Sequence, residues 1–278
     1  MSTNTLATCL IWLAALFVTA VFVCLLADII SQGLTGLSWS YLIEPPQDAG
    51  RAGGIGSIIV STGLILLVAI ATSAPLGLAT AILLTEFSTQ KSTFAQFVER
   101  SLDVLSGIPS IIFGLFGNAF FCIYLGLGFS ILSGGLTLAC MALPILIRTA
   151  TEGLRAVPND YRLSAAALSM TRTSALIHLL VPAATPALVA GLMLGIGRAG
   201  AETAALIFTS GYVDRMPDSV MDSGRALSVH IYDLSMNVAG GDAKANSAAL
   251  VLIILLFVIN SVSSFLANHW MHKRIIHL

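Results

Sequence analysis

Six long apolar runs constrain this chain more than any other feature, because each is long enough to cross a lipid bilayer. They cover residues 8–27, 55–85, 104–129, 131–147, 179–208 and 248–267. A helix needs roughly 20 mainly apolar residues to cross the hydrocarbon core. With 56% apolar and 10% charged residues and a mean hydropathy of +0.92, the chain lies far outside the composition of soluble domains. The sequence therefore predicts an all-α integral membrane protein with six transmembrane helices.

Other functional classes find little support in the residue pattern. The 13 Lys+Arg and 14 Asp+Glu residues give a formal net charge of −1, so no basic excess suggests a nucleic-acid partner. No G-x-x-x-x-G-K-[ST] motif occurs, and we expect that the chain is not an enzyme and does not bind ATP through a P-loop. The cysteines lie in apolar stretches without CxxC spacing, which favours neither disulfides nor a zinc site; they are Cys9, Cys24, Cys122 and Cys140.

Two further motifs are predicted to be structural. Gly195, Gly197 and Gly200 spell GxGxxG, but they lie inside an apolar run, so we do not expect dinucleotide binding. The last three histidines are predicted to form an interfacial tail beside two cations rather than a metal site. These residues are His269, His272, His277, Lys273 and Arg274.

Lysine and arginine residues outside the spans predict the orientation of the chain. They concentrate in segment 148–178 and in the C-terminal tail, and cytoplasmic loops carry an excess of these residues. Six spans then place both termini in the cytoplasm. We divide the chain into residues 1–54, with the first helix and an outer loop, and a core domain of residues 55–278 with a cytoplasmic loop at 152–178.

Prolines and one polar segment predict local irregularities. Pro75, Pro109 and Pro144 lie inside apolar runs, where proline removes a backbone donor and bends a helix. Segment 91–100 spaces its apolar residues as a helix does, so it is either a short amphipathic helix at the membrane surface or an ordinary capped loop.

The 152–178 loop is polar and helix-prone, and it is long for a connection without a partner. We expect a short helix around Ala165, Ala166 and Ala167 that either docks into a groove on a soluble protein or serves only as a connector. Glu152, Arg162 and Ser169 complete the set of candidate coupling residues.

This loop resembles the cytoplasmic loop of the membrane subunits of ABC importers, which reads E-A-A, three residues, G, nine residues, I-x-L-P. Pro182 takes the place of the closing proline, Ser169 that of the glycine and Leu163 that of the glutamate. The family's glutamate and glycine are thus absent, so their contacts do not transfer to this chain. The other matched positions are Leu179 and Val181 before the proline, and Ser164 and Ala165 for the alanine pair.

The motifs LSGIPSIIFGLFG, EGLRAVPNDYR and IGRAGAETAALIFTSG are similar to those of phosphate-specific transport permeases, and their order favours the PstA type. The resemblance implies the type I permease fold of ABC importers in a bacterial inner membrane. It also implies four kinds of partner: a PstC-type second permease, two PstB-type ATP-binding subunits, an external PstS-type phosphate-binding protein and the lipid bilayer. ATP and Mg would be bound by the partner subunits, and no cofactor by this chain. The GxxxG pair Gly191 and Gly195 is then a candidate contact with the second permease.

Arg198 is the candidate substrate residue, together with Glu202 and Thr203. It follows Ala187 by 11 residues, or about 16 Å of helix rise, which predicts a position near the bilayer midplane. A charge at that depth requires a polar cavity or an acidic partner. Glu202 is four residues further on, so an i,i+4 ion pair is expected. Arg198 then either meets an oxyanion through its planar donors or braces two helices as part of a structural pair.

Two alternative functions remain open from the sequence. One is a permease of the same architecture for phosphonate, sulfate or molybdate, because arginine alone does not select among oxyanions. The other is a membrane sensor or scaffold that docks a soluble protein and moves no solute.

Overall fold

A computed structural model describes residues 3–88 and 92–275 of the chain. The helices are α1 (Thr3–Thr35), α2 (Trp39–Ile43), α3 (Gly56–Ile82), α4 (Thr93–Gly107), α5 (Ser110–Gly117), α6 (Ile131–Ala156), α7 (Asn159–Ala167), α8 (Arg172–Ala175), α9 (Val181–Gly200), α10 (Ala204–Ile207), α11 (Leu227–Met236) and α12 (Asp242–Ile275). π-Helical turns extend α3 (Leu83–Phe87) and α5 (Asn118–Tyr124) and join α8 to α9 (Leu176–Leu180). Strands β1 (Pro46–Gln47) and β2 (Ala52–Gly53) form an antiparallel hairpin.

The prediction of six membrane spans is confirmed, with one span broken. Within the described residues, five helical segments are long and apolar enough to cross a bilayer, and a sixth crossing exists if one bent pair counts as a span. The five are Ala7–Thr35, Gly56–Phe87, Ile131–Ala156, Arg172–Gly200 and Asp242–Phe265. The side chains of the histidine-rich tail lie outside the part of the chain that is described.

The third predicted span is bent at Pro109, as the sequence indicates. The pair Thr93–Gly107 and Ser110–Tyr124 is bent by 103°. Ile108 has an extended backbone, the conformation that a following proline favours, and Pro109 precedes the first turn of α5. Pro75 and Pro144 instead lie inside the continuous helices α3 and α6.

Segment 91–100 is helical from Thr93 onwards, which agrees with the amphipathic alternative; Lys91 lies outside the described residues. Ala95 and Leu102 pack against the end of α3 and against α6, whereas Phe94 and Phe97 are exposed on the other side.

The fifth predicted span needs a correction. The sequence predicts one span over 179–208, but the helix ends at Gly200, and the four-residue helix α10 follows after a break at 201–203. Four glycines weaken the helix in its last three turns; they are Gly191, Gly195, Gly197 and Gly200. Ala199 and Leu206, on either side of the break, belong to the same central hydrophobic cluster. The break therefore lies inside the bundle.

Glycines set the spacing of α3, α6 and α9 at the centre of the bundle. Gly77 of α3 lies against Leu146 of α6, and Gly153 of α6 lies against Ala187 of α9. Gly191 and Gly195 pack on Thr149 and Leu146 of the chain's own α6, so their predicted contact with a second permease is wrong. The two glycines do allow close helix packing, but the neighbouring helix is α6 of the same chain.

The bundle has two functional ends. The end formed by α7 and the 152–178 loop is called the loop end. The other, called the hairpin end, holds the β-hairpin, segment 209–226 and α11. Segment 209–226 covers the start of α6: the backbone N–H groups of Ile131 and Leu132 donate to the carbonyls of Asp222 and Val220 at 2.9 and 2.8 Å. The first four backbone N–H groups of a helix have no acceptor within the helix, and this loop supplies acceptors for two of them.

A buried polar cluster stabilises the hairpin end. Arg225 pairs with Asp233 at 3.3 Å, and its Nη1 lies 3.4 Å from Nδ1 of His230. The His230 ring is fully buried, and Gly50 of the hairpin turn packs against it. Its Nε2 has no hydrogen-bond partner within the described part of the chain. Burial, followed by the charge of Arg225, lowers the pKa of His230 to about 4.

This pKa predicts a loss of stability in acid. An unfolded histidine titrates near 6.5, so between pH 6.5 and 4 the unfolded state binds more protons than the folded state. The free energy of unfolding should therefore fall on acidification, by about 3 kcal/mol at pH 4 from this residue. Thermal unfolding in detergent should show that His230→Gln, which does not titrate, loses less Tm than the wild type between pH 7 and 4.5. Parallel curves for the two proteins would contradict the assignment.

Candidate translocation pathway and coupling loop

Arg198 is exposed in the last turn of α9. Among the side chains that the structure describes, none forms an ion pair or hydrogen bond with it. The neighbouring Ala199 packs in the central cluster with Leu66 and Met141, so the guanidinium leaves the helix at a level inside the bundle. A charge in that position must face water, a ligand or another subunit rather than lipid.

The expected pair between Arg198 and Glu202 is not formed, because the helix ends between the two residues. Oε1 of Glu202 instead accepts a hydrogen bond from the backbone N–H of Ala205 at 3.3 Å, at the start of α10. Thr203 directly precedes α10, and its side chain makes no capping bond. The structural-pair alternative for Arg198 therefore loses its acidic partner.

Polar side chains stabilise the irregular backbone beside Arg198. Oγ of Ser228 donates to the carbonyl of Glu202 at 2.6 Å, and Nδ2 of Asn118 donates to the carbonyl of Phe208 at 2.8 Å. Non-helical backbone at membrane depth occurs only where protein or a water-filled cavity surrounds it. The break and the free cation together are suited to pass an anion. Sequence reasoning missed Ser228 and Asn118, although Asn118 directly follows the motif that ends at Gly117.

The loop end separates inward from outward residues. Ala165 is buried, whereas Ala166 and Ala167 are exposed on α7, and Glu152 is exposed on α6. Leu163, at the family's glutamate position, has 61% of its surface exposed. An apolar side chain therefore stands at the position where the family presents a carboxylate.

Arg162 is directed inward rather than toward a docking partner. It forms an ion pair with Glu86, at the end of α3, at 2.7 Å. The two side chains are 29% and 16% exposed. Glu86 has no assigned role in the sequence analysis. A recess of about 420 Å³ opens beside this pair, between the end of α3 and the loop, and Ala166 and Arg172 help to line it.

Ser169 ends α7 in a left-handed conformation with a φ of 54°. The N–H of Ser169 donates to the carbonyl of Ala166 and that of Met170 to the carbonyl of Ala165, both at 3.0 Å. This is a Schellman ending, in which glycine usually takes the left-handed position. The geometry explains a glycine at this place in the family pattern, and it shows that serine keeps the turn.

Comparison with known proteins assigns the family. Residues 73–277 match the family described as "Binding-protein-dependent transport system inner membrane component". The chain belongs to this family. The match includes both the 152–178 loop and Arg198. Such permeases assemble with an ATPase and a substrate-binding protein, and the chain is a transport component rather than an enzyme.

Curated relatives align along nearly the whole permease. The chain is 28% identical to "Probable ABC transporter permease protein YqgI" of Bacillus subtilis, over 96% of this chain and 95% of that protein. It is 30% identical to "Phosphate transport system permease protein PstA" of Mycobacterium leprae, over 92% and 86%. A second PstA, from Xylella fastidiosa strain 9a5c, is 33% identical over 66% of this chain and 63% of that protein.

Solved structures share the fold of the permease. A bacterial ABC transporter for the import of alginate aligns with a TM-score of 0.59 at 14% identity, covering 96% of this chain and 98% of that chain. The MetNI methionine ABC transporter, in an inward-facing conformation, gives a TM-score of 0.56 at 16% identity, covering 80% and 94%. These likenesses confirm the predicted permease fold of ABC importers.

The Schellman ending predicts that Ser169→Gly stabilises the permease. Left-handed backbone costs a residue with a Cβ roughly 1–2 kcal/mol, and glycine avoids most of that cost. We expect Tm in detergent to rise by a few degrees. Ser164→Gly, the same change at an exposed position inside α7, should lower Tm instead, because glycine weakens a helix interior. A fall in Tm with Ser169→Gly would contradict the assignment.

Proposed function

We propose that this permease carries inorganic phosphate through the membrane as one half of the pathway of an ATP-driven importer. The observation that carries the proposal is the exposed Arg198, which has no ion-pair partner among the described side chains and lies beside the break that ends α9, level with the central cluster. A guanidinium keeps its charge at physiological pH and offers planar donors to two oxygens of an oxyanion at once. Curated relatives named as PstA phosphate permeases, at 30% and 33% identity, support phosphate over other oxyanions.

The proposed complex contains a PstC-type permease as the second half of the pathway. Two PstB-type subunits would bind ATP and Mg, and a PstS-type protein would deliver phosphate from outside. The exposed face of α7, with Ala166, Ala167 and Leu163, is the surface proposed to meet the ATPase. Ala165, Arg162 and Ser169 would act from behind this face by shaping α7, and Glu152 would flank it.

The proposed location is the bacterial inner membrane with both termini in the cytoplasm. The cationic loop end would face the cytoplasm, since the positive-inside rule places Arg148, Arg155, Arg162 and Arg172 there. The hairpin end would then face the external binding protein.

Uptake into proteoliposomes tests the role of Arg198. With all subunits present, Arg198→Gln should assemble normally, because the structure gives Arg198 no partner within the described side chains. Phosphate uptake should fall about ten- to a hundredfold, the effect of one charge-assisted contact worth roughly 1.5–3 kcal/mol that is made only at the barrier.

Two controls give this experiment its specificity. Competition by sulfate, molybdate and phosphonate identifies the transported anion, and the absence of any flux would favour a sensor or scaffold. The double variant Arg198→Gln with Glu202→Gln should transport as poorly as the single variant. Restored uptake in the double variant would contradict a contact of Arg198 with the substrate, because it would show that the two residues act as a structural pair.

A charge on the exposed face of α7 tests the ATPase contact. Ala166→Asp should reduce co-purification of the ATPase or uncouple ATP hydrolysis from uptake, because an unpaired carboxylate in an apolar groove costs several kcal/mol. Gln96→Asp, at an exposed position of α4 outside the loop, is the matched control and should change neither measurement. Normal recruitment and uptake with Ala166→Asp would exclude Ala166 from the docking face.

A further inference from the structure

Arg162 joins three elements of the loop end through four hydrogen bonds. Its Nη2 donates to Oε1 of Glu86 at 2.7 Å, and its Nε lies 3.4 Å from Oε2, so the fork of the guanidinium meets both carboxylate oxygens. Nη1 and Nη2 also donate to the carbonyls of Val157 and Leu154, each at 3.0 Å. These carbonyls belong to the last turn of α6 and to the residue after it, where acceptors lack the i+4 partner of a continuing helix. The side chain thus links α7, α6 and the π-helical end of α3.

The pair differs from the other ion pairs of the loop end. Arg155 meets Glu99 through one bond at 3.0 Å, with 38% and 46% of the side chains exposed. Exposed single contacts of this kind contribute little to stability or positioning. Arg162 and Glu86 are more buried and share two contacts, which fixes the relative orientation of their helices.

α3 connects this pair to the hairpin end. It packs along α6 through Gly77. Near its N-terminus, two of its side chains form hydrogen bonds with the hairpin end. Oγ of Ser57 donates to the carbonyl of Asp214, and Oγ1 of Thr62 accepts the backbone N–H of Leu227, at the start of α11, at 2.9 Å. A shift of α3 would therefore act on segment 209–226 and on α11.

We propose that Arg162 and Glu86 form a clamp that fixes α7 to α3, so that α3 moves with the coupling loop and transmits its displacement to the hairpin end. Arg162 is in this view a positioning residue and makes no contact with the ATPase. The chain connection through residues 156–159 ties α7 to α6, whereas Glu86 lies 76 positions before Arg162 and meets α7 through this pair. The proposal rests on the proposed function in one respect, since an ATPase must move the loop.

The first test measures phosphate transported per ATP hydrolysed by the complete complex in proteoliposomes. Glu86→Gln keeps the shape of the side chain without its charge, and Arg162→Lys keeps the charge without the fork. Both should retain the ATPase and its hydrolysis, while transport per ATP falls about tenfold or more, as expected for loss of a charge-assisted two-point contact. Loss of the ATPase from Arg162→Lys alone would overturn the proposal, because Arg162 would then be a docking residue.

Two further variants separate coupling from folding. Glu86→Gln combined with Arg162→Gln removes both charges, so no unpaired charge is left half-buried; it should assemble normally and still transport little per ATP. Full recovery in this variant would show that the pair serves stability alone. Glu99→Gln is the matched control on the exposed pair, and it should alter transport per ATP by less than about twofold.

The second test needs no knowledge of the substrate. Spin labels at Ser164→Cys on α7 and Leu83→Cys on the π-helical end of α3, after replacement of the four native cysteines, report the distance between the two elements. Both side chains are exposed, and neither is part of the clamp or of the surface proposed to meet the ATPase. The distance distribution should be narrow and the same in the nucleotide-free and the ATP-bound complex. It should broaden with Glu86→Gln. A wild-type distance that changes on ATP binding would overturn the clamp even if phosphate is transported, and a constant distance without phosphate flux would refute only the proposed substrate.

Discussion

Close contact between α3, α6 and α9 is the constraint on which the rest of the structure depends. Lipid tails are as apolar as the helix surfaces, so helices in a bilayer associate through tight packing rather than through the hydrophobic effect. Gly77, Gly153 and Gly191 allow that packing by removing side chains at the crossings. The remaining helices are arranged around this centre. Even α1, whose most apolar stretch buries no residue inside the chain, contacts α12 near its C-terminal end, where Gly33 meets Leu250 and Nδ2 of Asn246 donates to Oε1 of Gln32.

The same packing permits an interruption of α9 inside the bundle. In hydrocarbon, an unpaired backbone group costs several kcal/mol, which excludes irregular chain from lipid-exposed positions. At the break, Ser228 and Asn118 satisfy carbonyls that the helix leaves free, and the central cluster surrounds both sides. Arg198 can then leave the helix without an acidic partner among the described side chains. The geometry that stabilises the break also supplies the group that an anion would meet.

At the loop end, the two faces of α7 have different roles. Ala165 and Arg162 face the bundle, where packing and hydrogen bonds fix the helix. Leu163 and Ala166 face outward, free to meet a partner. Ser169 sets the direction in which the chain leaves α7. The candidate coupling residues of α7 thus form two groups: one fixes the helix to the bundle, and the other is exposed on its outer face.

The sequence by itself determined the membrane class, the number of spans and the bend at Pro109, because hydropathy and proline act locally along the chain. It also singled out Arg198, since a charge in an apolar run is visible without coordinates. The tertiary structure decided what these residues contact. The end of α9 at Gly200, which separates Arg198 from Glu202, depends on packing against distant helices. The pairing of Arg162 with Glu86, 76 residues away, and the inward placement of Gly191 on α6 depend on which helices become neighbours. Local patterns carry no information on those long-range contacts, because the free energy that selects them arises only when the bundle closes.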